Sequence, residues 1–244
     1  MELYVGVVLL SRINLQLIKT VHYPGDQMSS IITFIGWHDS GKTTLATQVV
    51  SELKKLGYRV AVIKSSNDEG IEFDTPGTDT YKHKEAGADS VMIVAPDQMV
   101  LQTKNRGLSL RTLAHRYFPD VDIVIGEGFK TARKIPKIEV FRNLNQRLRD
   151  EVHGVIAVAT DLEGVAEDYV FRLDEASEIA LFIEKRYLRQ KGAAEVTALL
   201  VNGNKVPIKN FIQESLAGTV HGFIKTLKLN TEIKEIELRI KLDE

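Results

Sequence analysis

The stretch Gly36-Trp37-His38-Asp39-Ser40-Gly41-Lys42-Thr43 fits the pattern G-x-x-x-x-G-K-[ST]. Glycines at both ends let the backbone turn its N–H groups toward phosphate oxygens, at the start of a helix whose dipole favours anions. Lys42 is then placed to reach the β and γ phosphates, and the Thr43 hydroxyl to coordinate Mg²⁺. Gly36, His38, Asp39, Ser40, Gly41, Lys42, Thr43 and Thr44 form the expected cradle for a purine nucleoside triphosphate. A matching string can arise by chance in a glycine-rich loop. Here it lies between a buried apolar run and an amphipathic helix, the context that the motif requires.

Carboxylates supply the second part of the chemistry. Val121 to Ile125 leads into Gly126-Glu127-Gly128. A carboxylate at the C-terminal end of a strand beside the P-loop strand is where a ligand to Mg²⁺ or to the attacking water is expected. Glu127 is therefore the candidate catalytic and metal-binding residue, set against the alternative of a turn glutamate facing solvent. Asp68, Glu69, Glu72 and Asp74 follow Lys64 in an acidic loop; Asp74 is the candidate metal ligand among them, with Asp79 beside it, because Pro76 and Gly77 fix the turn between the two. The other reading of that loop is a solvated surface. Thr160-Asp161 follows the run Val155 to Ala159. Asp161 could accept hydrogen bonds from the ring N–H and exocyclic amine of guanine, a donor pair that adenine lacks; a turn or capping aspartate is the competing reading. His38 and His83 each stand alone, without the second histidine a metal site would need. Lys130, Arg133, Lys134 and Lys137 make a basic stretch suited to a second phosphate-bearing ligand, or to plain solvation.

The elements that must position these groups alternate from Ile31 onward. Ile31 to Ile35 reads as a buried strand, followed by a helix from about Lys42 with Leu45, Val49, Leu53 and Leu56 on one stripe and Gly57 as its stop. Arg59 to Lys64 is the next strand, giving a βαβ unit. A short helix is expected over Thr78 to Glu85, a hairpin over Ser90 to Ala95 and Met99 to Thr103, and a helix over Leu108 to Phe118. Strands follow at Val121 to Ile125, Lys137 to Phe141 and Val155 to Ala159, then a helix over Ala176 to Arg189. The pattern predicts an α/β P-loop NTPase fold, a mostly parallel sheet flanked by helices. After Lys191 it changes. Val196 to Val201 and Lys205 to Ile208 flank Asn202-Gly203, a tight-turn dipeptide. Asn210 could cap a helix carrying Phe211, Leu216, Val220, Phe223 and Leu227, and Ile236 to Leu242 alternates like a half-solvated strand. Residues 193–244 thus read as a small C-terminal α+β module of ββαβ type, and 28–191 as the nucleotide-binding domain.

Composition narrows the partners. In 244 residues, 32 Lys and Arg balance 33 Asp and Glu for a net charge of −1, which supplies no basic field for nucleic acid. With no cysteine, thiol catalysis, disulfides and zinc–thiolate sites are excluded, and a reducing cytoplasm is the simplest setting. No apolar run is long enough for a membrane helix. Residues 1–27 have two equal readings: an N-terminal extension ahead of a start at Met28, or a genuine extra strand at Leu3 to Leu10.

Taken together these stretches resemble the MobB family, GTP-binding accessory proteins of molybdopterin guanine dinucleotide synthesis. The likeness runs from Ile31-Ile32-Thr33-Phe34-Ile35-Gly36, with His38 at the third P-loop position, through Arg59 to Lys64 and Asp74-Thr75-Pro76-Gly77-Thr78-Asp79. It continues in His83-Lys84-Glu85-Ala86-Gly87-Ala88, Gly126-Glu127-Gly128-Phe129-Lys130, Pro136-Lys137-Ile138-Glu139-Val140-Phe141-Arg142 and Ile156 to Asp161. One departure stands out: where the family has Lys-His, Lys64 is followed by Ser65. The resemblance implies GTP and Mg²⁺ as ligands and weak GTPase activity. As partners it implies the molybdopterin guanylyltransferase, molybdopterin itself and a second copy in a homodimer. A P-loop small-molecule kinase is the alternative, weakened because Arg133 is the lone arginine between Lys130 and Lys137. A metallochaperone GTPase ranks last for want of cysteine and clustered histidine.

Overall fold

The computed structural model describes residues 3–10, 29–148, 151–189, 197–201, 204–206, 208–227, 229, 233 and 235–242. Six parallel strands form the main sheet: β2 (Ser30–Ile35), β3 (Val60–Lys64), β6 (Ile123–Glu127), β7 (Lys137–Val140), β8 (Val155–Ala159) and β9 (Val170–Phe171), in the order β3-β6-β2-β7-β8-β9. Side chains alternate across a strand, and both faces here are apolar, which is the signature of a parallel sheet covered on two sides. Ile32, Phe34, Ile123 and Ile125 face helices α1 (Lys42–Lys55) and α4 (Ala176–Ile183), while Ile31 and Val124 pack against Leu110 and Ala114 of α3 (Leu110–Tyr117). The expected P-loop NTPase architecture, a mostly parallel sheet between helices, is the one observed. Among the described residues no helix is long and apolar enough to cross a membrane.

Two details of the expected βαβ unit change. β2 and β3 do not pair; β6 lies between them, with Ile32 and Val62 both opposite Ile125. On α1 the stripe stops one turn early. Leu45, Val49 and Leu53 are buried, whereas Leu56 is the C-cap and is exposed, since the chain there turns away through Gly57 at φ 89°. The helix over Ala176 to Arg189 also widens near its end, passing from α4 into a π-helical turn at Glu184–Leu188.

A second, antiparallel sheet joins the two ends of the sequence in the order β11-β10-β1-β12, where β1 is Leu3–Leu10, β10 Thr197–Val201, β11 Asn204–Val206 and β12 Glu235–Leu242. Of the two readings of the N-terminus, the structure holds the strand: Val7 of β1 is opposite Leu199 on one side and Leu238 on the other. Helix α5 (Asn210–Lys225) packs on this sheet through Ala217, Val220 and Ile224, against Leu199, Ile236 and Leu238. That corrects the expected apolar face, because Phe211, Phe223 and Leu227 of the predicted stripe are exposed. The N-cap is Lys209 rather than Asn210, and no side chain caps the helix. The Asn202-Gly203 turn, Met28 and the boundary near 191–193 lie outside the described residues.

The chain divides into two compact units, residues 1–65 with 109–244, and residues 66–108. The smaller contains α2 (Asp79–Glu85), capped by the Thr78 hydroxyl, and an antiparallel hairpin of β4 (Ser90–Val94) and β5 (Met99–Thr103). Ala95 N–H closes the hairpin on the Gln98 carbonyl at 2.8 Å.

Because β1 is the shared neighbour of β10 and β12, its removal leaves β12 without its neighbouring strand and β10 with only the three-residue β11, too little for a stable sheet. Deleting residues 1–28 should abolish hydrogen-exchange protection in β10 and β12 while that of β2 and β6 persists. Unchanged protection throughout would contradict the β1 pairing.

Candidate nucleotide site

The cradle begins where β2 ends. Gly36 tolerates no side chain: a Cβ there would run into the Val140 carbonyl oxygen and lie 2.7 Å from Ser40 Oγ. Gly41, at φ 93°, turns the chain into α1 with no side-chain cap and no acidic residue in the first turn. Its leading N–H groups and positive dipole end therefore remain for an anion. Ser40 Oγ is buried and has no hydrogen-bond partner, a polar atom set out for a ligand oxygen. The Lys42 ammonium folds back onto the Trp37 carbonyl. Its pKa is lowered, foremost by burial; the Glu127 charge opposes the shift, and the Lys130 and Lys64 charges add to it. A half-desolvated cation among other cations is stabilised by any phosphate that enters. His38 Nδ1 lies 2.8 Å from Asp39 Oδ2, both at the exposed rim of the loop, and the Lys130 ammonium sits 4.3 Å over the Trp37 ring.

Glu127 closes the far side. β6 carries it opposite both Phe34 and Lys64, and its side chain is almost fully buried. Thr43 Oγ1 donates to Glu127 Oε1 at 2.6 Å, and Lys64 Nζ lies 3.1 Å from the same oxygen. Hydroxyl and carboxylate oxygens are the hard donors that Mg²⁺ prefers, so Thr43 and Glu127 fit the ion, with phosphate and water oxygens to complete its shell. The flanking glycines serve the protein rather than the ligand. A Cβ at Gly126 would meet Thr33 Cγ2 at 2.6 Å, and one at Gly128 would meet Ser65 Cβ at 3.2 Å. Backbone bonds then pin the strand ends: Gly128 N–H to the Phe34 carbonyl and Ser65 N–H to the Glu127 carbonyl, each 2.9 Å.

Beside the cradle opens a cavity of about 320 Å³, lined by Gly41, Thr44, Leu45 and Gln48 from α1, and by Arg142, Asp161, Arg172, Leu173 and Asp174. Asp161 Oδ1 accepts the Leu173 N–H at 3.2 Å, which orients the carboxylate and leaves Oδ2 to face a ligand. Arg142 lies over the P-loop, with a guanidinium nitrogen 3.4 Å from where a Gly41 side chain would begin. Sequence reasoning placed Thr44 and Asp161 here but missed the two arginines. Arg142 could have been found as a charge just past the C-terminal end of a parallel strand. Arg172 follows β9, a two-residue strand too short to leave a pattern.

One expectation about other charges needs revision, and one candidate carboxylate has local partners of its own. Lys137 is no part of a basic ligand loop: it is buried in β7, and its ammonium donates to the carbonyls of Ala132, Ile135 and His153. Burial lowers its pKa, and the three carbonyls occupy its donors. Asp74 lies in the unit of residues 66–108, where it accepts from the Thr75 N–H at 2.9 Å and the Thr78 hydroxyl at 2.8 Å. Hydrogen bonds from Thr80 and then Thr78 lower its pKa, as befits a carboxylate ordering the start of α2. Among the described residues no cluster of three or more His, Cys, Asp or Glu could hold a metal alone.

Comparison with known proteins bears on this geometry. The model of the family described as "Molybdopterin guanine dinucleotide synthesis protein B" matches residues 31–161. The chain belongs to the MobB family. A molybdopterin-guanine dinucleotide biosynthesis adapter protein of Escherichia coli is 29% identical over 69% of this chain and 99% of its own length. A putative adapter protein of Methanocaldococcus jannaschii is 28% identical over 86% of this chain and 97% of its own, so likeness extends well beyond the matched core. A crystal structure of molybdopterin-guanine biosynthesis protein B has a TM-score of 0.53 and 32% identity, covering 64% of this chain and 98% of that one. All the residues placed around the cradle, except Arg172, Leu173 and Asp174, fall within the MobB match.

The contact between Gly36 and β7 sets a clear test. Gly36→Ala should lower unfolding stability by about 3 kcal/mol in urea, the upper range for overpacking. An unchanged midpoint would mean that the loop does not press on Val140.

Proposed function

We propose that this MobB-family protein binds GTP with Mg²⁺ and acts as an adapter in molybdopterin guanine dinucleotide biosynthesis, assisting the guanylyltransferase that joins GMP to molybdopterin. The observation that carries the ligand is the meeting at Gly41 of an anion cradle and a base-sized cavity containing Asp161. Triphosphate belongs to the first, with Lys42 and the α1 N-terminus as its positive partners. Guanine belongs to the second, where a carboxylate accepts from two adjacent donors. Mg²⁺, when bound by Thr43 and Glu127, neutralises phosphate charge. Asp74, in the acidic loop whose turn Pro76 and Gly77 fix, remains a further candidate ligand to Mg²⁺. The pathway role rests on the adapter names of the relatives in Escherichia coli and Methanocaldococcus jannaschii.

Hydrolysis is expected to be weak. Glu127, hydrogen-bonded to Thr43 and needed as a ligand to Mg²⁺, is not free to act as general base. A homodimer is supported by the hairpin of β4 and β5, whose Met92, Ile93, Val94, Met99 and Val100 are all exposed. A two-stranded hairpin with apolar residues on both faces is marginal alone and gains stability by docking. Molybdopterin is the further ligand that the pathway implies.

Lys42→Ala should cost at least about 3 kcal/mol of GTP affinity, more than a hundredfold, by equilibrium binding with the fold intact by circular dichroism. Retained affinity would remove the P-loop from the reading. Asp161→Asn turns one acceptor into a donor that opposes guanine. It should narrow the preference for GTP over ATP by about 1.5–3 kcal/mol and leave ATP binding unchanged. A wild-type protein indifferent to the two purines would refute the guanine assignment.

A further inference from the structure

The Lys64 ammonium sits at the metal-binding end of the cradle, paired with Glu127. We propose that Lys64 distinguishes a nucleoside triphosphate from a diphosphate, exchanging Glu127 for the terminal phosphate once Mg²⁺ is held by Thr43 and Glu127. This rests on the GTP–Mg²⁺ reading above.

Three observations carry it. Lys64 and Thr43 converge on one oxygen, Glu127 Oε1, at 3.1 and 2.6 Å. A divalent ion drawn to that oxygen and to the Thr43 hydroxyl places two further positive charges beside the Lys64 ammonium, so the lysine must find another anion. The two partners are also unequal. The Glu127 side chain is 10% exposed and held at a strand end pinned by backbone bonds, while the Lys64 side chain is 57% exposed. An ion pair with one such exposed, flexible member costs little to release, so it is Lys64 that moves. Finally, Lys64 is already close enough to Lys42 for its charge to act on that ammonium. Lys42 is the residue that the motif directs to the β and γ phosphates. The other cation in this group, Lys130, rests over the Trp37 ring. The negative charge nearest the displaced Lys64 is then the phosphoryl group that a diphosphate lacks. Lys64 thus acts as a resident counter-ion for Glu127 in the empty cradle and as a terminal-phosphate ligand in the filled one.

Equilibrium binding of GTP and of GDP, both with Mg²⁺, tests this on the full chain carrying Lys64→Met or Lys64→Arg. The exposed position makes either variant safe for folding. With Lys64→Met, GTP affinity should fall roughly tenfold, the scale of one charge-assisted contact, and GDP affinity less than twofold. Lys64→Arg, which keeps the charge, should retain most of the preference for GTP. If wild type binds GTP but Lys64→Met lowers both nucleotides equally, or neither, Lys64 is not the discriminating group and the nucleotide reading survives. A wild type that binds neither nucleotide overturns both.

Discussion

The structure turns on the register of β6 between β2 and β3. Sliding β6 by one residue would invert Glu127 to the opposite face of the sheet and bring Ile125 out of the α1 side of the core. The register is held by Ile123 and Ile125 on one face and Val124 on the other, all fully buried. Gly126 reinforces it, since only at that position can the strand pass Thr33 of β2 without a side chain between them. The contact of a carboxylate with the P-loop threonine is therefore a by-product of core packing. Apolar residues three strands wide fix a polar geometry that no polar interaction could fix alone.

The same logic explains where charge has been allowed inside. Lys137 and Glu139 alternate with Ile138 and Val140 along β7, so two ionisable side chains face the side of the sheet opposite α1. The Lys137 ammonium donates to three carbonyls; Glu139 accepts from the Leu148 N–H and has Arg147 near it. These buried groups tie the segments before and after β7 to the strand. Val140, next along, is the residue whose carbonyl limits Gly36. An interior polar network thus stands directly behind the phosphate loop, and stiffness in β7 becomes stiffness in the cradle.

Much of the fold could be read from residue order because its signals are local. The P-loop is one contiguous string, and the apolar runs of β2, β6 and β8 are short and unbroken. What could not be read depends on partners far away in the chain. Lys137 sits in a visibly basic stretch, and only the direction of its side chain off β7 shows that it is internal. Arg142 and Arg172 come to the cavity from separate strand ends, and spacing along the chain carries no trace of that meeting. On α5 the large residues Phe211 and Phe223 suggested a buried face, but the helix turns Ala217, Val220 and Ile224 to the sheet instead. The pairing of β2 and β3 through β6 likewise follows from sheet order, to which a local pattern is blind.

Leu3 pairs with Leu242, so nearly the whole chain separates two residues that stand opposite each other. Contacts of such long range are the slowest to form, since loop closure must be paid for before any bond rewards it. β1 is flanked by β10 and β12, both far along the sequence from it, and while it waits the P-loop sheet has all its own segments to hand. The P-loop cradle, built from segments closer together in sequence, can thus be assembled before the antiparallel sheet closes.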